Sequence, residues 1–178
     1  MKLSRHELLL SMLLAAGTLF AFGPEAPLVA QQVPQQLQPP AGERLLLQVS
    51  AKGNQVYTCK NDAGKIAWVL KAPDAQLFDK DGKQFGKHFA GPSWEASDGS
   101  RITGKAVANA PSTEADSVPW LLLTVVGHGG DGVLSPVTSI QRLNTKGGKA
   151  PATGCDAGHV TQEVRVPYTA NYLFFAAK

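Results

Sequence analysis

Residues 75–89, AQLFDKDGKQFGKHF, decide the fold class. The pair Asp81-Gly82 sits between two runs that are rich in strand-forming residues. An Asp-Gly pair in that setting is the strongest short-range signal for a β-hairpin. Residues 75–78 and 84–89 are therefore predicted to be neighbouring antiparallel strands joined by a tight turn.

The same pattern continues in both directions from this hairpin. Residues 61–64 (NDAG) and the pair Asp98-Gly99 predict two further tight turns. Strand-like runs lie between the turns, and none of them shows the apolar period of an amphipathic helix. The predicted strands are residues 44–49, 55–59, 66–70, 75–78, 84–89, 93–96, 101–108, 120–126, 137–143, 160–166 and 168–175. Many short strands separated by turn signals indicate an all-β protein, an antiparallel β-sandwich or barrel of about nine to eleven short strands.

The first residues have the three parts of a secretory signal peptide. Lys2 and Arg5 give a basic start, residues 8–22 are almost continuously apolar, and Ala30 supplies a small residue for cleavage. The apolar run is shorter than the roughly 20 residues that a spanning helix needs. Residues 1–30 are therefore predicted to be a cleavable signal, with a membrane anchor as the alternative.

Two segments follow the predicted signal. Residues 31–42 (QQVPQQLQPPAG) predict a flexible or extended leader, because a Gln- and Pro-rich composition buries little apolar surface. Residues 43–178 have the length of a single β-rich domain. No segment after Ala30 is long and apolar enough to span a bilayer, so no membrane span is predicted in the mature chain.

Charge and cysteine content narrow the function classes. The formal net charge is only +3 and the basic residues are scattered, whereas nucleic-acid binding favours clustered basic stripes. No nucleic-acid partner is therefore predicted. The two cysteines, Cys59 and Cys155, belong to no CxxC pair. An even count in an exported chain predicts a structural disulfide between them, with two separate thiols as the alternative.

Two stretches carry a resemblance to a known family. Residues 88–100 (HFAGPSWEASDGS) and 138–155 (TSIQRLNTKGGKAPATGC) resemble small secreted bacterial and fungal proteins that carry a domain of unknown function. The resemblance covers nearly all of residues 39–175. It implies export and a single compact domain, and it implies no established activity. Some fungal members are labelled malate dehydrogenase, but this chain has neither a GxGxxG motif nor an alternating βαβ pattern to support that label.

Three histidines of the predicted mature chain are candidates for chemistry. His88, His128 and His159 could bind a metal together with nearby carboxylates, since imidazole and carboxylate are common transition-metal ligands. Their spacing matches no HxH or HExxH motif, so three unrelated histidines are the alternative. A hydrolytic or metal-dependent enzyme that uses His88 with Glu95, Asp98 or His159 is the alternative functional hypothesis. No cofactor is predicted.

A binding role is the main functional hypothesis. Trp94 lies beside an Asp-Gly turn and could stack on a sugar ring or a peptide, although a Trp near a hairpin end can also cover the core. The Gly- and Lys-rich loop 144–158 adjoins Cys155, and a loop held on a rigid scaffold is a good place for binding. We therefore expect a non-enzymatic, exported binding or structural module with an extracytoplasmic ligand, a glycan or a protein. The candidate binding residues are His88, Trp94, Glu95, Asp98, Lys146 and Lys149.

Overall fold

Eight antiparallel strands make up most of residues 32–178, the part of the chain that the computed structural model describes. They are β1 (Glu43–Asp62), β2 (Lys65–Phe78), β3 (Gln84–Phe89), β4 (Ser93–Ala96), β5 (Arg101–Ala110), β6 (Trp120–Gly129), β7 (Val137–Gly147) and β8 (Glu163–Ala177). Each strand pairs with the next along the chain, and β1 also pairs with β8, which closes the sheet into a barrel. The predicted all-β, antiparallel fold is confirmed. The predicted signal, residues 1–30, lies outside the described residues.

The strand count is lower than predicted because three pairs of predicted strands are single long strands. Residues 50–54 (SAKGN) looked like a break, but they pair continuously with β8 and belong to the middle of β1. Gly53 serves close packing there and not a turn, since a Cβ at this position would lie 2.2 Å from the Asp74 carbonyl oxygen. In the same way β2 runs through Pro73, and β8 runs through Pro167.

The barrel interior is built by alternate residues, as the strand period requires. On β8, Tyr168, Ala170, Tyr172 and Phe174 are all buried. On β1, Val49 is aligned with Tyr172 and Ala51 with Ala170. These side chains belong to one hydrophobic cluster that fills the barrel. The interior is therefore a packed aromatic and aliphatic core over most of its length.

The leader segment carries one anchor that its composition does not indicate. A short 3-10 helix, Gln35–Leu37, places Leu37 at 0% exposure against the outer wall of the barrel. Leu37 packs with Trp120 and Leu122, and the buried Gln141 donates a hydrogen bond from Nε2 to the Leu37 carbonyl oxygen (2.5 Å). Part of the segment predicted to be flexible or extended is thus fixed by the packing of Leu37 and Val33 and by this hydrogen bond.

The two ends of the barrel differ in how they are covered. We call one the closed end; it carries the loops 111–119 and 148–162. The predicted disulfide is confirmed there, between Cys59 of β1 and Cys155. We call the other the open end; it carries the turns 79–83 and 97–100 and the loop 130–136. Among the described residues, no helix is long and apolar enough to cross a membrane.

Candidate ligand-binding site

A cavity at the open end follows from the unequal lengths of β1 and β2. Pairing between β1 and β8 extends to Glu43, whereas pairing between β1 and β2 begins only at Ser50. The first residues of β1, 43–49, therefore have a strand neighbour on one side only. The uncovered side opens on a cavity of about 690 Å³.

The floor of this cavity is apolar and continuous with the core. Leu47 and Phe85 pack against the hydrophobic cluster, and Val49 belongs to it. Val133, which is 39% exposed, stands at the rim. The polar lining residues are Gln48, Ser50, Asp79, Lys80 and Asn171. A volume of this size falls within the range of about 300 to 1,000 Å³ that is usual for small-molecule sites, and the mouth of a β-barrel is one of their preferred places.

Asp98 fixes the rim of the cavity. Its Oδ1 accepts hydrogen bonds from the backbone N–H and the hydroxyl of Ser100 (2.9 and 2.6 Å), and its Oδ2 accepts one from the Val133 N–H (2.8 Å). The Ser100 hydroxyl oxygen in turn accepts from the Leu134 N–H (3.1 Å). Leu134 is fully buried. One carboxylate thus ties the turn 97–100 to the loop that carries Val133.

Glycine at position 132 is required by this arrangement. A Cβ there would lie 2.3 Å from Asp98 Oδ2, so any larger residue would displace the carboxylate. The hydrogen bond from the Ser100 hydroxyl, followed by that from the Val133 N–H, holds the pKa of Asp98 below its usual value. The carboxylate is therefore charged when it holds the rim.

His88 and Trp94 lie inside the barrel and contact each other. Their rings stack with centroids 4.3 Å apart, and the Tyr172 ring meets His88 edge-on at 5.0 Å. His88 is 2% exposed and Trp94 is 1% exposed. Burial lowers the pKa of His88 to about 3, and the neutral ring donates from Nδ1 to the Ser93 carbonyl oxygen (2.8 Å). Neither ring is available to a ligand at the surface. Trp94 is therefore a core residue and does not present its ring for stacking on a sugar or a peptide.

The remaining candidate residues are spread over the molecule. Glu95 is on the outer face of β4 and forms an ion pair with Lys87 (2.9 Å). In the register of β3 and β4, His88 faces Trp94 and Lys87 faces Glu95, so the barrel wall separates His88 from Glu95. Lys146 lies on the exposed face of β7. Lys149 lies beyond it, 3.7 Å from Asp116, with both side chains exposed. The six candidates therefore form no single face.

The three histidines are also far from one another in the fold. His128 bonds through Nε2 to the Val137 carbonyl oxygen (2.9 Å) on the wall of the barrel. In the loop of the closed end, His159 Nδ1 lies 2.7 Å from Asp156 Oδ1. This hydrogen bond, followed by that from the Gly158 N–H, lowers the pKa of Asp156. Within residues 32–178, no three His, Cys, Asp or Glu side chains are grouped so that they could hold a metal ion. The geometry gives no support to a metal or hydrolytic site centred on His88.

The residues that line the cavity were not singled out by sequence reasoning. Leu47 and Val49 were recognised only as part of an apolar strand, and Phe85 as part of a hairpin. Among them, only Val133 could have been noticed in the sequence, because an apolar side chain in a Gly-rich loop has few ways to be buried. Asp98 was among the predicted binding residues. It does not line the cavity, but its hydrogen bonds hold the loop that carries Val133.

The described part of the chain defines a class of protein: a small closed barrel of antiparallel strands with one disulfide and a cavity at one end. A protein-family model described as "Protein of unknown function (DUF3455)" matches residues 40–176. Because the match covers most of the chain, the protein belongs to this family, which confirms the resemblance found in its sequence. No curated protein and no solved structure matches the chain.

Proposed function

We propose that this chain is an exported, non-enzymatic binding module that holds a small, largely apolar ligand in the open-end cavity. The observation that carries the proposal is the cavity of about 690 Å³ over a floor of core side chains. Burial of apolar ligand surface on such a floor stabilises a complex by about 25 cal/mol per Å². The Asp98 hydrogen bonds support the proposal because they hold the rim in one position before a ligand arrives.

A binding role agrees with the state of the side chains that an enzyme would need. The neutral ring of His88 is buried among aromatic side chains, and its Nδ1 is engaged by a backbone carbonyl. Glu95 is paired with Lys87, and the oxygen atoms of Asp98 are occupied by the rim. General acid–base catalysis requires a titratable group within reach of a substrate proton. His88 is buried out of such reach, and the barrel wall separates it from Glu95.

Export is the second part of the proposal. Disulfides form and persist in oxidising compartments and are rare in the cytosol, so the bond between Cys59 and Cys155 supports it. The basic, apolar and small-residue order of residues 1–30 supports it as well. N-terminal sequencing of protein from the extracytoplasmic fraction should start at Gln31. Full-length protein confined to the cytoplasm would contradict export.

A blocking substitution at the rim tests the binding role. Val133→Trp should fill the cavity mouth, and Val126→Trp is the matched control, because Val126 is an exposed valine that does not line the cavity. The probe is N-phenylnaphthylamine, a neutral apolar compound whose fluorescence rises in dry surroundings. We expect saturable binding by the native chain and by Val126→Trp, and a loss of about tenfold or more in affinity for Val133→Trp. No saturable binding by the native chain, or undiminished binding by Val133→Trp, would refute the proposal.

A further inference from the structure

The cavity continues into a polar track along the outer face of β1 and β8. Ser50 and Asn171 line both the open-end cavity and a neighbouring groove of about 430 Å³. That groove shares Lys52, Lys146 and Thr169 with a third depression of about 470 Å³. Because consecutive members share side chains, the three form one path that begins at an apolar floor and passes between two lysines into the third depression.

The two lysines are placed by the strand register. Lys52 on β1 and Lys146 on β7 are both aligned with Thr169 on β8. Since neighbouring strands lie about 4.8 Å apart, the two backbones flank the track at a separation of roughly 10 Å. Long, flexible lysine side chains at that separation can reach one group that lies over Thr169.

Neither lysine is neutralised by the residues around it. In the described part of the chain, other lysines do have acidic partners within 4 Å, for example Lys71 with Glu163 and Lys87 with Glu95. Lys52 and Lys146 have none there. Both grooves that they line contain no acidic residue.

The cavity itself contains one carboxylate, that of Asp79. Its Oδ1 accepts the backbone N–H groups of Asp81 and Lys83 and so belongs to the turn 79–83. Lys80, which also lines the cavity, is paired with Asp81. The free positive charge along the path therefore lies at its Lys52 and Lys146 end.

We infer that the ligand is an anionic amphiphile whose apolar part occupies the open-end cavity and whose acidic group is bound by Lys52 and Lys146 beside Thr169. This inference rests on the proposed function and assigns its ligand class. An acidic group at that place gains two charge-assisted contacts that a neutral analogue with the same chain does not make. Both lysines are exposed, so we expect a preference of about three- to tenfold for the acid.

A matched ligand pair and a matched pair of variants test the inference. Dodecanoate and dodecanol are titrated against the native chain, the double variant Lys52→Gln/Lys146→Gln and the control Lys60→Gln/Lys105→Gln. The control removes the same charge from lysines that line none of the three depressions. We expect the native chain and the control to prefer the acid, and the double variant to bind both ligands with the affinity of the alcohol. The preference of the native chain should also decline as salt is raised to roughly 0.5 M, because salt screens exposed charges.

Failure of the inference can be told apart from failure of the proposed function. If the native chain binds the acid and the alcohol equally, or if the double variant keeps the preference, the assignment to Lys52 and Lys146 is wrong while the cavity remains a binding site. If the native chain binds neither ligand, the cavity is not the site and both proposals fall.

Discussion

The closed end and the open end of the barrel are both covered by loops, but these loops are held in different ways. At the closed end, a disulfide joins Cys59 to Cys155, the Tyr57 hydroxyl donates to the Gly148 carbonyl oxygen (2.6 Å), and the Val118 N–H donates to the Gly147 carbonyl oxygen (2.9 Å). At the open end the ties run between loops, through Asp98, and they leave a cavity over the core.

Under the proposed function, this difference assigns stability to one end of the barrel and binding to the other. The covalent and buried contacts at the closed end restrain the chain there. At the open end, core side chains line the cavity, and a few hydrogen bonds fix its rim. Substitutions at the two ends should therefore have different signatures, one in the free energy of unfolding and the other in ligand affinity.

Removal of the disulfide should give the largest effect on stability. The bond spans 96 residues of sequence, and closing a loop of that size restrains the unfolded chain by about 4 to 5 kcal/mol in the chain-entropy model. We expect Cys59→Ser/Cys155→Ser to lose stability on that scale in urea unfolding. Affinity for the cavity probe, measured where the variant is still folded, should be unchanged. A large loss of affinity in the folded variant would contradict the independence of the two ends.

The buried histidine between the two ends should make stability depend on pH. The pKa of His88 falls from its usual 6.5 to about 3 in the folded state. The unfolded chain therefore binds a proton on this histidine near pH 6.5, whereas the folded chain does so only near pH 3. The contribution of His88 to the free energy of unfolding is fully present above pH 6.5 and declines as the pH falls towards 3. The slope approaches at most about 1.4 kcal/mol per pH unit from this residue.

His88→Phe should remove that slope, because it keeps the stacked ring on Trp94 and deletes the titrating group. Urea unfolding across this pH range is the measurement, and His159→Asn is the control, since His159 is exposed in a loop. An unchanged pH profile in His88→Phe would mean that other groups dominate the acid sensitivity.

Asp98→Ala should sharpen the contrast at the open end. The variant loses the hydrogen bonds to Ser100 and to the Val133 N–H, so we expect its free energy of unfolding to fall, but by less than that of the disulfide variant. Probe affinity should fall several-fold because the rim is no longer fixed. The pKa of Asp98 is below its usual value of 3.8, so the native rim should also loosen as the pH falls below that value.

Asp62→Ala, at the tip of the hairpin between β1 and β2, is the control for the Asp98 variant. It removes the same charge far from the cavity and should leave probe affinity as it is. Equal losses of affinity in the two variants would show that net charge, and not the rim contacts, controls binding.

The smallest effect is expected for an exposed ion pair near the closed end. Lys71 and Glu163 are 2.5 Å apart, with 55% and 42% of their side chains exposed. Glu163 has a lowered pKa, first because of the hydrogen bond from Lys71, but solvent screening makes the contribution of such an exposed pair to stability small. Lys71→Met should leave both the urea unfolding curve and the probe affinity unchanged within the error of the measurements. A larger change would show that surface charges stabilise this end.

The turns could be predicted from the sequence because their chemistry is local. The Asp81-Gly82 and Asp98-Gly99 pairs both lie in tight turns between the expected strands. Strand continuity could not be predicted in the same way. Gly53 and Pro73 look like strand breakers, and pairing with neighbouring strands keeps them within long strands. Gly53 is aligned with Tyr168 on β8, and Pro73 is aligned with Gln55 on β1.

The inward orientation of His88 and Trp94 could have been predicted from the alternation of side chains along a strand. Both residues share a face with small, inward-facing residues, Gly86 and Ala96. The cavity could not have been predicted from the sequence. It exists because β1 extends past β2, and this depends on the register between strands and not on any single motif. Lys52 shows the same limit, because only its alignment with Thr169 brings it near Lys146.

The central claim is that the open end binds a ligand, and amide chemical shifts of the labelled protein test it most directly. On titration with dodecanoate, we expect saturable shifts at Leu47, Val49, Phe85 and Val133, with none in residues 153–162 of the closed end. Shifts that cluster in residues 153–162, or an unchanged spectrum at saturating ligand, would contradict the claim.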